Sequence, residues 1–265
     1  MMKKALLWVL AVFLALAAML YQRSTGPTYE FKGYLENGGE KLKYELIRTH
    51  ETTGGAKISM PKVEGADYQV TLNYKRYQTD DAFTAVEFKM DEEYLFTAQL
   101  PVQPAAGKME YFVTGSLNGQ EFRIPEMGEE NIILRYKDPV SNTILYPHVT
   151  LMIVVILFGI RAGLAALFND GSMRKWTTVA FGAMTIGGMI LGPLVQKSAF
   201  GEYWTGFPYG GDFTDNKMLI MWIAWALALA IIGFKAKRKE GISRGAVILA
   251  AAVMTVVYLI PHSMG

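Results

Sequence analysis

The sequence predicts a membrane protein built from a helical anchor, an inserted all-β sandwich and a bundle of four further membrane helices. Apolar runs long enough to cross a bilayer, which takes about 17–25 residues, occur once at the start of the chain and four times after residue 143. Between them, residues 28–137 read as β structure, with apolar and polar side chains alternating with a period of two over residues 68–75. The balance of charge fits that reading. Of 265 residues 51% are hydrophobic, and 26 Lys+Arg stand against 24 Asp+Glu. A nucleic-acid binder would carry a strong basic excess. The absence of cysteine excludes disulfides, thiolate catalysis, zinc–thiolate sites and covalent haem attachment through Cys-x-x-Cys-His.

The first apolar run, Ala5 to Tyr21, follows Lys3 and Lys4. Residues 1–22 therefore read as a transmembrane anchor, with a signal peptide cleaved after Ala15-Leu16-Ala17 as the alternative. In either case the lysines stay in the cytoplasm and the following segment is exported. In that segment Tyr68, Val70, Leu72 and Tyr74 alternate with Gln69, Thr71, Asn73 and Lys75. Further strands are expected at 29–35, 41–48, 83–90, 94–100, 109–116, 121–124 and 132–136. Asn37-Gly38 and Asn118-Gly119 supply hairpin turns, where both central residues need positive φ. Many short strands with turns at this spacing predict a sandwich. In layout, it resembles fibronectin-III and immunoglobulin-like modules. His50, beside Gly54-Gly55, reads as a solvated loop residue.

Residues 144–265 read as the helical domain, with apolar segments near 144–168, 177–195, 218–234 and 245–260. Arg174 and Lys175, and the run Lys235, Lys237, Arg238, Lys239 and Arg244, mark two loops as cytoplasmic. Loop 196–217 carries Glu202, Asp212 and Asp215 against Lys197 and Lys217, so it faces out, as does the C-terminus. The expected location is a bacterial-type plasma membrane. Arg161, near the inner end of its segment, can extend its head to the headgroups.

The candidate chemistry lies at the outer face. His148 follows Pro147 at the start of the second membrane segment, and His262 follows Pro261 at the end of the fifth. Between them in sequence runs Phe200–Lys217, dense in aromatics, glycine and aspartate. A connector of this length and character points to a structured loop. The order of external histidine, aromatic loop and second external histidine resembles the haem-handling proteins of cytochrome c assembly, which have a tryptophan-rich outer loop. Here Trp204 is the loop's one tryptophan, so Tyr203, Phe207 and Tyr209 must stand in for the others.

The resemblance implies haem as cofactor, with His148 and His262 as iron ligands and Trp204, Tyr203 and Phe207 as walls. Gly182, Gly187, Gly188 and Gly192 on the third helix would let it approach the ring. A second chemistry uses His148, His262, Asp212 and Asp215 as nitrogen and oxygen ligands of a metal ion. Plainer readings stand beside both. Histidine beside proline at a helix end suits the headgroup layer, the aromatics suit an interfacial belt, and Asp215-Asn216 suits a helix cap. No nucleophile triad, phosphate-binding glycine loop or dinucleotide fingerprint occurs, so whether the chain is an enzyme stays open. The competing role is a non-catalytic assembly subunit whose sandwich binds an exported protein while the helices hold it in the lipid bilayer.

Overall fold

The computed structural model describes residues 2–37, 39–63, 65–92, 95–233 and 240–261. The chain divides into two compact units, residues 27–139 and the chain on either side of them.

The first unit is all β. Strands β1 (Phe31–Asn37) and β2 (Glu40–Leu46) form a separate hairpin. Strands β4 (Ala56–Met60), β8 (Phe96–Leu100) and β7 (Lys89–Met90) form a sheet in the order β4-β8-β7. The largest sheet has the order β3-β11-β9-β5-β6, from β3 (Thr49–Glu51), β11 (Ile132–Lys137), β9 (Lys108–Leu117), β5 (Tyr68–Arg76) and β6 (Thr84–Glu87), with β10 (Gln120–Ile124) also on β9. In β9, Met109, Tyr111 and Val113 are buried while their neighbours are partly exposed, the period expected of a half-buried strand. Leu46, Ile58, Leu72, Leu100 and Leu134 bring all three sheets into one core. Tyr111 completes its burial by donating its hydroxyl to the Ile47 carbonyl at 2.7 Å.

Asn118 (φ 52°) and Gly119 (φ 80°) make the two-residue turn between Leu117 and Gln120. Asn37 pairs with Glu40 across this hairpin, and Gly38 of the predicted Asn37-Gly38 turn lies outside the described residues. The single strand predicted over 83–90 is broken at Phe88. Its ring is buried and its amide bonds to Val70 O at 2.9 Å, outside either flanking strand. His50 is not in a loop. It belongs to β3, parallel to β11 and opposite Tyr136, with ring centroids 5.9 Å apart. Leu72 is fully buried at the centre of this core. Leu72→Ala is expected to cost about 2–5 kcal/mol, read as a lower midpoint in thermal unfolding followed by the β signal in circular dichroism of the full chain.

Among the described residues, the second unit holds five helices long and apolar enough to cross a membrane. These spans are α1 (Met2–Thr25), α2 (Asn142–Phe168), a third at Met173–Phe200, α5 (Phe213–Ile232) and α6 (Glu240–Leu259). Helix α1 buries Leu7, Ala11, Ala15 and Ala18, a stripe of mostly small side chains that lies against α2 and α6. The third span is not one regular helix. It runs α3 (Met173–Met184), a π-helical turn (Thr185–Leu191) and α4 (Gly192–Phe200). Pro193 lacks an amide hydrogen and crowds the carbonyl four residues back, so the helix widens just before it.

At the α2–α3 end, charges close the helix termini. Lys3 donates to Phe168 O at 2.8 Å, and Arg244 donates to Ala166 O and Leu167 O at 2.6 and 2.9 Å, so both cap the C-terminus of α2. Arg174 grips Glu240 through two bonds of 2.9 and 2.8 Å. Arg161 is buried and points to the turn that follows α2. It is 1% exposed, paired with Asp170 and set 5.3 Å from the ring of Trp8. Ser172 bonds the other oxygen of Asp170 and accepts from Trp176 Nε1. The ring of Trp176 in turn packs edge-on against Trp8.

Candidate functional site

The loop from Gly201 to Asp212 joins α4 to α5 and is the most elaborately supported irregular segment of the helical unit. Its organiser is Asp215, in the first turn of α5 and 6% exposed. One carboxylate oxygen accepts four bonds: from Thr205 N (2.7 Å), Gly206 N (3.1 Å), Gln196 Nε2 (3.1 Å) and the Thr205 hydroxyl (3.3 Å). Gln196 on α4 also donates to that hydroxyl at 2.7 Å, tying both flanking helices to the loop. Asn216 accepts from Phe207 N at 2.7 Å, and Lys217 donates to Ile260 O at the end of α6.

Three consecutive residues therefore fix three different segments. Position 206 has to be glycine. A Cβ there would lie 2.6 Å from Asp215 Cβ, inside any van der Waals contact. Bonds from Tyr209 N and Gly210 N to Gly206 O, and from Asp212 N to Thr205 O, close the rest of the loop on itself.

Asp212, not Asp215-Asn216, caps α5. Its side chain accepts from Thr214 N and Asp215 N at 2.9 and 3.0 Å. The shift of three residues frees Asp215 to point inward. Trp204 is half-buried and donates Nε1 to Phe207 O at 3.0 Å. The other rings face outward, with Tyr203 54%, Phe207 68% and Tyr209 84% exposed. Lys197 sits 5.4 Å from the Tyr203 ring and donates to Gly201 O.

His148 lies within the second turn of α2, which begins at Asn142, two residues before the expected start near 144. Its Nδ1–H donates to Gly187 O at 2.8 Å. That carbonyl also accepts the amide of Gly192, the bond that closes the π-helical turn. Gly187 and Gly188 are already filled by neighbours, since Leu151 and Met218 occupy the space a Cβ would need. Trp222 donates Nε1 to Thr185 Oγ1 at 3.0 Å, and Trp225 is fully buried in the helical core.

His262 lies outside the described residues, as do four basic residues of the run at 235–239. Among the described residues, no group of three or more His, Asp and Glu gathers to hold a metal ion. Asp212 and Asp215 are held by backbone amides, and His148 by the π-helical turn.

The β unit carries a second concave surface. A groove of about 900 Å³ lies on the outward face of β5, β9 and β10, over Gln69, Thr71, Thr114 and Ser116. Glu121, Arg123 and Met127 complete it, and Met127 is 90% exposed. The Arg123 guanidinium is fixed there by Pro125 O, Glu126 O and Asn131 Oδ1, and lies 4.2 Å from the Phe112 ring. Sequence alternation contained this signal, because Gln69, Thr71, Ser116 and Thr114 all fall on the polar side of paired strands.

Together the five spans and the β unit define a multi-pass helical membrane protein with a separate β-sandwich-like region. No protein-family model matches the chain, and no curated protein matches it.

Proposed function

We propose that this chain is a membrane-held assembly subunit, whose helices anchor it in a bacterial-type plasma membrane and whose exported β-sandwich docks a protein partner. The observation that carries this reading is the groove over β5, β9 and β10. Its lining of hydroxyl and amide side chains includes Phe122, Arg123 and the exposed Met127, residue types enriched at protein interfaces. Arg123 is already ordered by its own bonds, so little side-chain freedom is lost when a partner lands beside it. The positive charges at the α2–α3 end support a cytoplasmic location for that end.

The test is photo-crosslinking in native membranes. A benzophenone side chain at Gln69 or Met127 is expected to trap one dominant protein, and the same group at Lys57, on β4 and outside the groove, is not. Equal or absent crosslinking at all three positions removes the docking role.

A second reading keeps His148 as an iron ligand of haem, and a specific contact favours it. Metal-bound histidines commonly donate their second ring N–H to a carbonyl, which is how Nδ1 is engaged here. Haem-supplemented protein, purified in mild detergent, is expected to show a Soret band that weakens in His148→Ala. A spectrum without that band, or one unchanged by the substitution, counts against the ligand role.

A further inference from the structure

We infer that the α4–α5 loop is a rigid aromatic plate that lies in the headgroup layer of the bilayer, its occupied face being lipid and not protein. This goes beyond the docking role, which belongs to the β unit. Four observations lead there.

The loop is short. Only twelve residues separate the last residue of one membrane span, Phe200, from the first of the next, Phe213. Both of its ends are therefore held at the edge of the hydrocarbon. The loop is also internally closed. Asp215, Asn216 and the bonds to Gly206 O and Thr205 O use its polar backbone, so few amides are left to need water. Its outward side chains are unusually apolar for a surface loop, with Tyr203, Phe207, Tyr209 and Phe213 all exposed. Rings of this kind, an apolar body with a polar edge on the tyrosines, favour the boundary between headgroups and acyl chains. Finally, the neighbouring cations behave as interface residues. Lys197 holds its ammonium over the Tyr203 ring and donates it to Gly201 O, and the buried Lys217 donates to Ile260 O at the end of α6.

Preorganisation separates this arrangement from a flexible connector with aromatic residues. Asp215 sets the loop before any lipid arrives, so Tyr203, Phe207 and Tyr209 are held exposed on an ordered backbone. The plate then fixes the depth of α4 and α5, and with them the π-helical turn and His148.

The natural chain has no cysteine, which makes site-directed spin labelling clean. Phe207→Cys and Tyr209→Cys would each carry a nitroxide in liposomes of phosphatidylcholine and phosphatidylglycerol. Leu227→Cys, 59% exposed on α5 and about four turns from its loop end, and Met127→Cys in the β unit are the lipid and water references. The ratio of collision with oxygen to collision with a water-soluble nickel chelate is expected to lie several-fold above the Met127 value at both loop positions, and below the Leu227 value. Adding Asp215→Ala to the Tyr209→Cys chain is expected to raise label mobility and lower the ratio toward that of water. A loop ratio equal to the Met127 reference overturns the inference, because the rings then stand in water. Labels shielded from both reagents overturn it as well, because protein or a cofactor then covers them. Crosslinking at Gln69 and Met127 is read separately, so failure of either idea leaves the other measurable.

Discussion

Asp170→Ala is expected to destabilise the helical unit by about 3–5 kcal/mol, the usual result of leaving one partner of a buried ion pair uncompensated. Arg161 is 1% exposed, and its Nε and Nη1 already lack partners, so Asp170 is the carboxylate that balances its charge. The remaining support is the Trp8 ring, which is far too weak to replace a carboxylate. The effect is read as a lower midpoint when the full chain is unfolded from mild detergent by increasing dodecyl sulfate. Arg161→Met combined with Asp170→Ala is expected to recover most of the loss, because an apolar side chain of similar length needs no counter-charge. A double variant as unstable as Asp170→Ala alone would show that packing, not charge, sets the penalty.

The pair also sets a pH dependence. Burial pushes the Asp170 carboxyl up, but the Ser172 hydroxyl, the Arg161 guanidinium and the Ser172 amide together hold it below its ordinary value. A carboxyl depressed by folding contributes stability that is present above its unfolded pKa of about 3.9. That stability is lost as the pH falls through the lower, folded value. The difference between the natural chain and Asp170→Asn is therefore expected to be full at neutral pH and to shrink below about pH 4. A difference that stays constant down to pH 3 would contradict this.

Asp215→Ala is expected to release the α4–α5 loop. It removes the common acceptor of two backbone amides, one side-chain amide and one hydroxyl, and each donor left buried costs about 1–3 kcal/mol. The amides of Thr205 and Gly206 are expected to exchange about 10–100 times faster, the range that one lost bond of this size implies. Exchange at the centre of α5 is expected to stay slow. Gly206→Ala provides an independent route to the same state, because its Cβ would displace Asp215 itself. Unchanged exchange at Thr205 in both variants would mean that the loop is held by something other than this carboxylate.

Much of the architecture was legible before folding, because it rests on local periodicity. The five apolar spans are fixed by run length, and β5 and β9 by alternation over nine and ten residues. The Asn118-Gly119 turn is fixed by its demand for positive φ. Short strands were missed where the signal was too brief. β3 has three residues, and β4 has the right alternation but follows directly on Gly54-Gly55, which read as a loop. The π-helical turn was not predicted, although Gly187, Gly188 and Pro193 are its physical cause.

The α4–α5 loop shows the same division. Its order and aromatic character could be read from Phe200–Lys217, and so could its need for glycines. Which aspartate caps α5 and which turns inward could not be read, since both roles suit the same side chain within three residues. Arg161 is a parallel case, where snorkelling and burial are equally open to a long cation until a carboxylate is brought near.

By itself the sequence determined what each segment must avoid: five runs cannot stay in water, and the alternating strands must bury one face. Only the tertiary structure decided what each isolated polar group meets. Asp215 finds two loop amides, Arg161 finds Asp170 and His148 finds the carbonyl of Gly187. Hydrophobic burial is set by composition along a segment and needs no particular partner. A buried charge or imidazole is stable only against one correctly placed atom, and that atom comes from another part of the chain.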